Sequence, residues 1–144
     1  WQVSYSEDAL ELILDTSLFY PYYLQEYGKQ VWGEVSEERR EINKTMAQAA
    51  YPAFERSLDE SFFKVRHDRA TPRELEFMIA MVKCEKLPCS TKELAEQLNC
   101  AISTVSPLRA QLIHKGVIYS ANRGEVDFTV PQFDKFLKRI RGIL

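Results

Sequence analysis

The residues best suited to binding chemistry lie in one window of the chain that contains no acidic residue. Between Gln97 and Gly124, a stretch of 28 residues, there is no Asp or Glu, although 28% of the chain is charged. A surface that binds DNA needs short polar and cationic side chains and few carboxylates, because it faces phosphates and base edges. The candidates for contacts with double-stranded DNA are Ser103, Thr104, Ser106, Arg109, Lys115, Asn122 and Arg123.

Four of these residues have an alternative role that depends on where their side chains point. On a regular helix, Ser103 and Ser106 face solvent, and they could act on DNA or serve only as caps and solvated positions. Arg109 falls at the flank of the apolar face, so it could form a structural ion pair instead of contacting DNA. Arg123 is expected at the tip of a turn, where a cation can reach phosphate or remain solvated.

The window itself is predicted to form a helix, a tight turn, a helix and a two-stranded ribbon. Ser90 and Glu93 form a capping box that starts the first helix. The second helix ends at Gly116; Pro107 lies either in its first turn, if it starts near Thr104, or at a kink. The apolar residues expected to face inward from this second helix are Val105, Leu108, Leu112 and Ile113.

From residue 117 the apolar pattern changes to a period of two. Residues 117–120 and 126–130 read as strands that flank a five-residue turn, 121–125. A helix-turn-helix followed by a β-hairpin is the pattern of a winged helix, whose second helix can enter a major groove. Thr71 and Pro72 are expected to open the preceding helix, with Leu75, Met78, Ile79 and Val82 inward, and a last helix buries Phe133, Phe136, Leu137 and Ile140.

The first half of the chain is predicted to be helical throughout. One helix begins at Ser6 and buries Ala9, Leu10, Ile13 and Leu14. A second runs from Pro21 to about Trp32, and its many aromatic residues, among them Tyr23 and Tyr27, are expected in the core. Asn43 caps a third helix that Pro52 breaks or restarts, and residues 66–69 read as a solvated crossing between the halves. The fold class is therefore mainly α, with two parts, 1–68 and 69–144.

Composition and charge limit the classes of function. Residues 1–70 carry 8 Lys/Arg and 13 Asp/Glu, a net charge of −5, whereas residues 71–144 carry 11 and 8, a net charge of +3. This asymmetry favours a second half that meets a polyanion. No apolar run of 18 residues and no signal peptide occurs, which favours a cytoplasmic protein without a membrane partner. Cys84, Cys89 and Cys100 lack metal-binding spacing and are read as free thiols, so no metal site is expected.

Three segments carry a resemblance to a known family. They are TSLFYPYYLQEYGKQVW, LDESFFKVRHDRATPRELEFMIAM and STVSPLRAQLIHKGVIYSANRGEVDFTVPQFDKFLKR. Together they resemble the C-terminal part of bacterial AAA-type ATPases related to origin-recognition initiators and to the signal-transduction ATPases with numerous domains. The resemblance implies a helical lid domain, residues 1–68, followed by a winged helix, residues 69–144, with a nucleotide-binding domain upstream.

The resemblance also implies where the nucleotide would be. In this superfamily the lid carries a Gly-x-Pro motif whose proline touches the nucleotide; the matching residues are Phe19-Tyr20-Pro21, so Pro21 is the implied contact, with Phe19 in place of Gly. The chain has no G-x-x-x-x-G-K-[ST] sequence of its own. ATP and Mg²⁺ are therefore expected to bind the upstream domain of a longer parent, which would be the ATPase, and not this chain.

The sequence thus predicts a DNA-binding winged helix that serves an ATPase. Two alternatives stay open: a winged helix that binds protein or restrains its ATPase, and a self-contained transcription regulator. The acid-free window favours DNA, whereas Glu125 and Asp127 beside the turn favour a protein partner. No paired carboxylates and no nucleophile with a base stand out, so no catalytic residue is predicted in this chain. The pattern leaves open the DNA site, the biological process, the oligomeric state and the role of the cysteines.

Overall fold

The computed structural model describes residues 2–143, which form two compact units. The first unit ends at Phe62 and the second begins at Phe63, whereas the sequence placed the boundary after Asp68. Most of the described residues are helical, and the strands form two small sheets. The difference in net charge between the two parts is larger when the chain is divided at the structural boundary than when it is divided after residue 70. Residues 1–62 carry 5 Lys/Arg and 12 Asp/Glu, a net charge of −7, and residues 63–144 carry 14 and 9, a net charge of +5.

The first unit contains three helices and one short parallel ladder. In chain order its elements are β1 (Ser4–Tyr5), α1 (Glu7–Thr16), α2 (Pro21–Trp32), β2 (Glu41–Ile42) and α3 (Lys44–Leu58). Strands β1 and β2 pair in parallel. Ser6 and Asn43 accept hydrogen bonds from the first turns of α1 and α3, and Pro21 is the first residue of α2, as predicted.

Helix α3 runs without interruption through Pro52, so the predicted break there is wrong. A proline inside a helix removes one backbone hydrogen bond and leaves the carbonyl four residues earlier without its donor. That carbonyl belongs to Gln48, which is exposed, as is Pro52 itself. Water can therefore hydrate the freed carbonyl, and burial of the opposite face of α3 keeps the helix together.

Aromatic side chains of α2 and α3 fill the centre of the first unit. Tyr23 and Tyr27 are buried, as predicted. The Tyr27 ring stacks on Phe54 with ring centroids 4.5 Å apart, and its hydroxyl donates a hydrogen bond of 2.9 Å to the carbonyl of Ala47. The remaining buried apolar residues of the three helices are Ala9, Ile13, Val31, Met46, Ala47, Ala50 and Leu58. Leu10, expected in the core, is 45% exposed, because it lies on the side of α1 that no element of this unit covers.

The segment after α3 is helical and not the solvated crossing that the sequence predicted. A π-helical turn, Asp59–Phe63, follows α3, and the short helix α4 (Lys64–Asp68) comes next. Helix α4 is rich in charged residues, and none of its residues is buried. Its polar composition therefore suggested a loop, while local backbone hydrogen bonding continues the helix.

The second unit combines four longer helices with a three-stranded antiparallel sheet. After α4 its elements are α5 (Pro72–Lys83), β3 (Cys89–Ser90), α6 (Thr91–Leu98), α7 (Ile102–His114), β4 (Ile118–Asn122), β5 (Glu125–Phe128) and α8 (Phe133–Arg141). The strand order is β3-β5-β4. Strand β3 was not predicted, because a strand of two residues is too short to show the alternation of apolar and polar residues. The hairpin turn is shorter than predicted, since both strands extend to Asn122 and Glu125 and leave only Arg123 and Gly124 between them.

The core of the second unit lies between its helices and one face of the sheet. Val105 and Leu112 of α7 are fully buried, and Met78, Val82, Phe133, Phe136 and Leu137 are buried as predicted. Leu75, Ile79, Leu108 and Ile113 are only half-buried. Ile140 is 47% exposed, contrary to the prediction, because it lies in the last turn of α8, where the helix extends past the core. Among the helices that the structure describes, none is both long and apolar enough to cross a bilayer.

Candidate nucleic-acid interface

The turn between α6 and α7 is fixed by local hydrogen bonds. The amide of Glu93 donates to the Ser90 hydroxyl at 3.2 Å, and the Ser90 amide donates to the Glu93 carboxylate at 2.8 Å, so the predicted capping box is present. Asn99 ends α6 with φ +51°, the left-handed conformation that Asn tolerates better than most residues. The Cys100 amide then donates to the Ala95 carbonyl at 3.0 Å. These contacts set the direction in which α7 begins.

The outer face of α7 is polar and open. Ser103 and Ser106 are exposed, as the helical spacing predicted, and so are Thr104, Ala110 and His114. The first residue of α7 is Ile102, and Ala101 before it has no side chain that can cap the helix. Ala101 therefore provides no side-chain acceptor for the amides of the first turn of α7. The amides of a first turn point out of the N-terminal end of a helix, and this end of α7 is exposed.

Pro107 lies inside α7, which starts earlier than the sequence suggested. The carbonyl of Ser103 consequently lacks the amide that would normally pair with it four residues later. The hydroxyl of Ser106 donates to the Ile102 carbonyl at 3.0 Å and so supports this first stretch of the helix. The exposed side of α7 thus presents a free carbonyl and two further hydroxyls, those of Ser103 and Thr104.

The tip of the β4–β5 hairpin presents one cation. Arg123 is exposed, and no ion pair of its side chain occurs within residues 2–143. Next to it the Asn122 amide donates a hydrogen bond of 2.7 Å to the Glu125 carboxylate. Gly124 has φ +76°, a left-handed conformation that glycine adopts without steric cost. Arg123 is therefore available for a ligand, whereas Asn122 already has a partner.

A residue that the sequence did not indicate joins this tip. The Thr91 amide and hydroxyl donate to the Gly124 carbonyl at 3.0 and 3.3 Å, and Ser90 pairs with Glu125 in the sheet. These contacts hold the start of α6 against the hairpin tip. They bring exposed Lys92 to the same edge as Arg123. Only the pairing of β3 with β5 reveals this, because the two cations are far apart in the chain.

Two of the predicted contact residues have partners inside the unit. The Arg109 guanidinium donates to the Ser120 hydroxyl at 3.1 Å, and its Nε atom is buried with no partner among the described residues. The Lys115 ammonium donates to the Glu74 carboxylate at 2.7 Å and to the Arg69 carbonyl at 3.5 Å. Both side chains thus connect α7 to other elements of the unit.

The partner of Lys115 is a buried carboxylate. The Glu74 side chain is 2% exposed, and it also accepts the Thr71 amide at 2.9 Å, which completes a capping box at the start of α5. Burial raises the pKa of Glu74, but hydrogen bonds from Lys115 and the Thr71 backbone outweigh it and hold the pKa below its ordinary value. Glu74 is therefore ionised at neutral pH, and Lys115 is the cation that compensates it.

Pro21, the implied nucleotide contact, belongs to a strained corner of the first unit. It is exposed at the first position of α2. Leu18 and Phe19 precede it with φ of +53° and +56°, and their side chains are 52% and 64% exposed. A left-handed backbone costs free energy in residues other than glycine, and an exposed apolar side chain lacks the stabilisation that burial would give. The corner therefore costs free energy on two counts.

The thiols and carboxylates of the chain do not converge. The three cysteines are free, and burial raises the pKa of the Cys89 thiol far above its usual range. No group of three or more His, Cys, Asp or Glu side chains suited to a metal occurs in the part of the chain that the structure describes. The start of α7 and the hairpin tip offer a ligand the hydroxyls of Ser103 and Thr104 and the guanidinium of Arg123.

Comparison with known proteins gives one match. A family model described as Domain of unknown function (DUF8462) matches residues 60–137, which is more than half of the 144 residues. The match begins near the end of the first unit and covers most of the second. No curated protein and no solved structure matches the chain.

Proposed function

The chain belongs to the family described as Domain of unknown function (DUF8462), and we propose that residues 63–144 form a winged helix that binds double-stranded DNA. The observation that carries the proposal is the acid-free outer face of α7 beside an unpaired cation at the hairpin tip. The order of elements supports it, because α6 and α7 form a helix-turn-helix and β4 and β5 form the wing. In such a unit the second helix enters the major groove and its N-terminal residues contact base edges.

The available side chains divide the interface into two kinds of contact. Ser103 and Thr104 on α7 are short donors that reach base edges or phosphates, and Ser106, whose proton is donated to the Ile102 carbonyl, serves as an acceptor. Exposed Ala110 lets the helix approach closely. Arg123 and Lys92 neutralise phosphates from the wing side. Arg109 and Lys115 support this surface from within the unit, and Asn122 orients the wing through Glu125. A net charge of +5 on the second unit favours approach to a polyanion.

The variant Arg123→Glu tests the proposal. We expect it to weaken binding of a duplex of about 20 base pairs by roughly tenfold or more, because it removes one phosphate contact and adds repulsion. The slope of log affinity against log salt should fall by about one. Fluorescence anisotropy between about 50 and 200 mM salt measures both quantities. Thermal unfolding should be unchanged, since the side chain is exposed.

Arg56→Glu is the matched control, because it makes the same change in net charge on an exposed position of the first unit. It should leave the affinity within about twofold and the salt slope unchanged. Binding that ignores both salt and Arg123 would contradict a DNA interface. That result would favour the alternative winged helix that binds a protein or regulates its ATPase, for which the carboxylates of Glu125 and Asp127 beside the wing would be suited.

We also propose that this chain works next to an AAA-type nucleotide-binding domain that holds ATP and Mg²⁺. Support comes from the resemblance and from Pro21, which is exposed at the start of α2. In a protein that joins such a domain to this chain, Pro21→Ala should weaken ATP binding by about three- to tenfold, which is the loss expected for one apolar contact. Calorimetry with Mg²⁺-ATP measures this. Unchanged ATP affinity would leave the DNA proposal intact and remove the assigned role of Pro21.

A further inference from the structure

A pocket in the second unit lies where the start of α5 meets the end of α7, and the proposed DNA interface does not use it. Its volume is about 420 Å³, within the usual range for small-molecule sites. The lining residues that matter here are Arg66, Arg69, Glu74, Leu112, Lys115 and Val117. Leu112 is ten residues along α7 from Ile102, so the pocket is about 15 Å from the proposed DNA-contacting end of the helix.

The charges in the pocket do not cancel. Arg69 and Lys115 contribute two positive charges, Glu74 contributes one negative charge, and the lining includes Arg66 as a third cation. The end of α7 adds a partial negative charge of about one half, which leaves a positive excess from Arg69 and Lys115 alone. Glu74 also lines the pocket, and its carboxylate is already committed to Lys115 and to the Thr71 amide.

Donors remain after the internal hydrogen bonds are made. The Lys115 ammonium has three donors, of which two are directed at Glu74 and at the Arg69 carbonyl. Lys115 is also 40% exposed, so its third donor is accessible. The Arg69 side chain is exposed, and its guanidinium has no ion pair among the described residues. A planar guanidinium beside an ammonium suits the oxygens of a phosphate group.

The rest of the lining is apolar. Val117 and Ala70 are half-buried and present apolar surface to the pocket, whereas Leu112 is fully buried. A phosphate ion alone would leave this part of the pocket without a contact. The volume and the apolar lining together therefore require a ligand that carries more than its phosphate group.

We propose that this pocket binds a small molecule with a phosphate monoester and an apolar moiety. The phosphate lies against Arg69 and Lys115, and the apolar moiety lies against Val117 and Ala70. A phosphate monoester is close to a dianion at neutral pH, which complements the residual positive charge. The site is separate from the proposed DNA contacts, which come from the start of α7 and from the hairpin tip.

Three probes separate the contribution of the phosphate group from that of the apolar moiety: phenyl phosphate, orthophosphate and benzyl alcohol. We expect the amide resonances of Gly116 and Val117 in the full chain to shift saturably with phenyl phosphate at constant ionic strength. Orthophosphate should bind more weakly by about tenfold, because it lacks the apolar contact, and benzyl alcohol should not saturate. Arg69→Gln should raise the dissociation constant for phenyl phosphate about tenfold, the usual effect of one charge-assisted hydrogen bond.

Arg73→Gln is the control, because it removes the same charge from an exposed position that does not line the pocket. It should leave the affinity unchanged. An equal loss in Arg73→Gln, or shifts that never saturate, would overturn the site. A duplex that shifts the Gly116 and Val117 amides while phenyl phosphate does not would also overturn it, since the phosphate would then belong to the DNA backbone.

Discussion

Leu112→Ala is expected to lower the free energy of unfolding of the second unit by about 2–5 kcal/mol. Leu112 is fully buried on α7, and this helix packs against α5, α6 and β4. Truncation therefore removes apolar burial and leaves a cavity that several elements would have to close together. For a unit of this size such a loss corresponds to a melting temperature lower by roughly 10 °C or more. Urea unfolding followed by circular dichroism measures the effect.

Leu108→Ala is the matched control for this variant. It removes the same atoms from the same helix, but Leu108 is only half-buried. Its cost should be about half that of Leu112→Ala or less, because less area returns to water. Equal costs at the two positions, or an unchanged midpoint for Leu112→Ala, would mean that α7 faces its unit differently.

Lys115→Met is expected to lower the free energy of unfolding by about 1–3 kcal/mol at pH 7, because it leaves the Glu74 carboxylate buried without its cation. The stem of Met replaces most of the apolar packing of Lys, so the loss reports mainly on charge. The value is at the low end for a buried pair, since the ammonium itself is 40% exposed. DNA affinity should change little if Lys115 is a structural residue.

The effect should depend on pH with a defined sign. The pKa of Glu74 is lowered in the folded protein, so its pairing stabilises the fold above the unfolded pKa of about 4.3 and is lost as the pH falls through the lower folded value. In Lys115→Met the ammonium no longer lowers this pKa, and only the Thr71 hydrogen bonds still oppose burial, so the pKa of Glu74 is higher than in the parent. The gap between the variant and the parent should thus shrink as the pH drops from 7 to 4. The double variant with Glu74→Gln should regain part of the loss at pH 7, and a gap that does not vary with pH would contradict this account.

Local signals in the sequence were sufficient for much of the fold. The capping boxes at Ser90 and Thr71 depend on side chains three residues apart, and the burial of Val105 and Leu112 follows from helical spacing alone. The positions of the prolines were harder to predict, because the free-energy cost of a proline inside a helix depends on whether water can reach the carbonyl that it leaves without a donor. Pro52 and Pro107 both lie inside helices, where the carbonyls that they release are on exposed residues.

The candidate site was harder to predict from the sequence, because it depends on pairs of residues that are distant in the chain. Lys115 looks like any exposed cation until Glu74, 41 residues earlier, is seen beside it. Lys92 lies near the hairpin tip only because Thr91 bonds to Gly124, 33 residues later. No period or cap encodes such pairs, and without them the sequence could not separate cations that are available to a ligand from those that support the fold.

The left-handed corner at Leu18 and Phe19 implies that this chain is not at its own optimum of stability. Glycine at either position would adopt the same backbone without steric cost, and a polar side chain would hydrate better than the present apolar ones. Such changes commonly add about 0.5–2 kcal/mol each. A partner that covered the two side chains would recover their apolar burial but not the cost of the left-handed backbone, whereas substitutions at this corner could recover both.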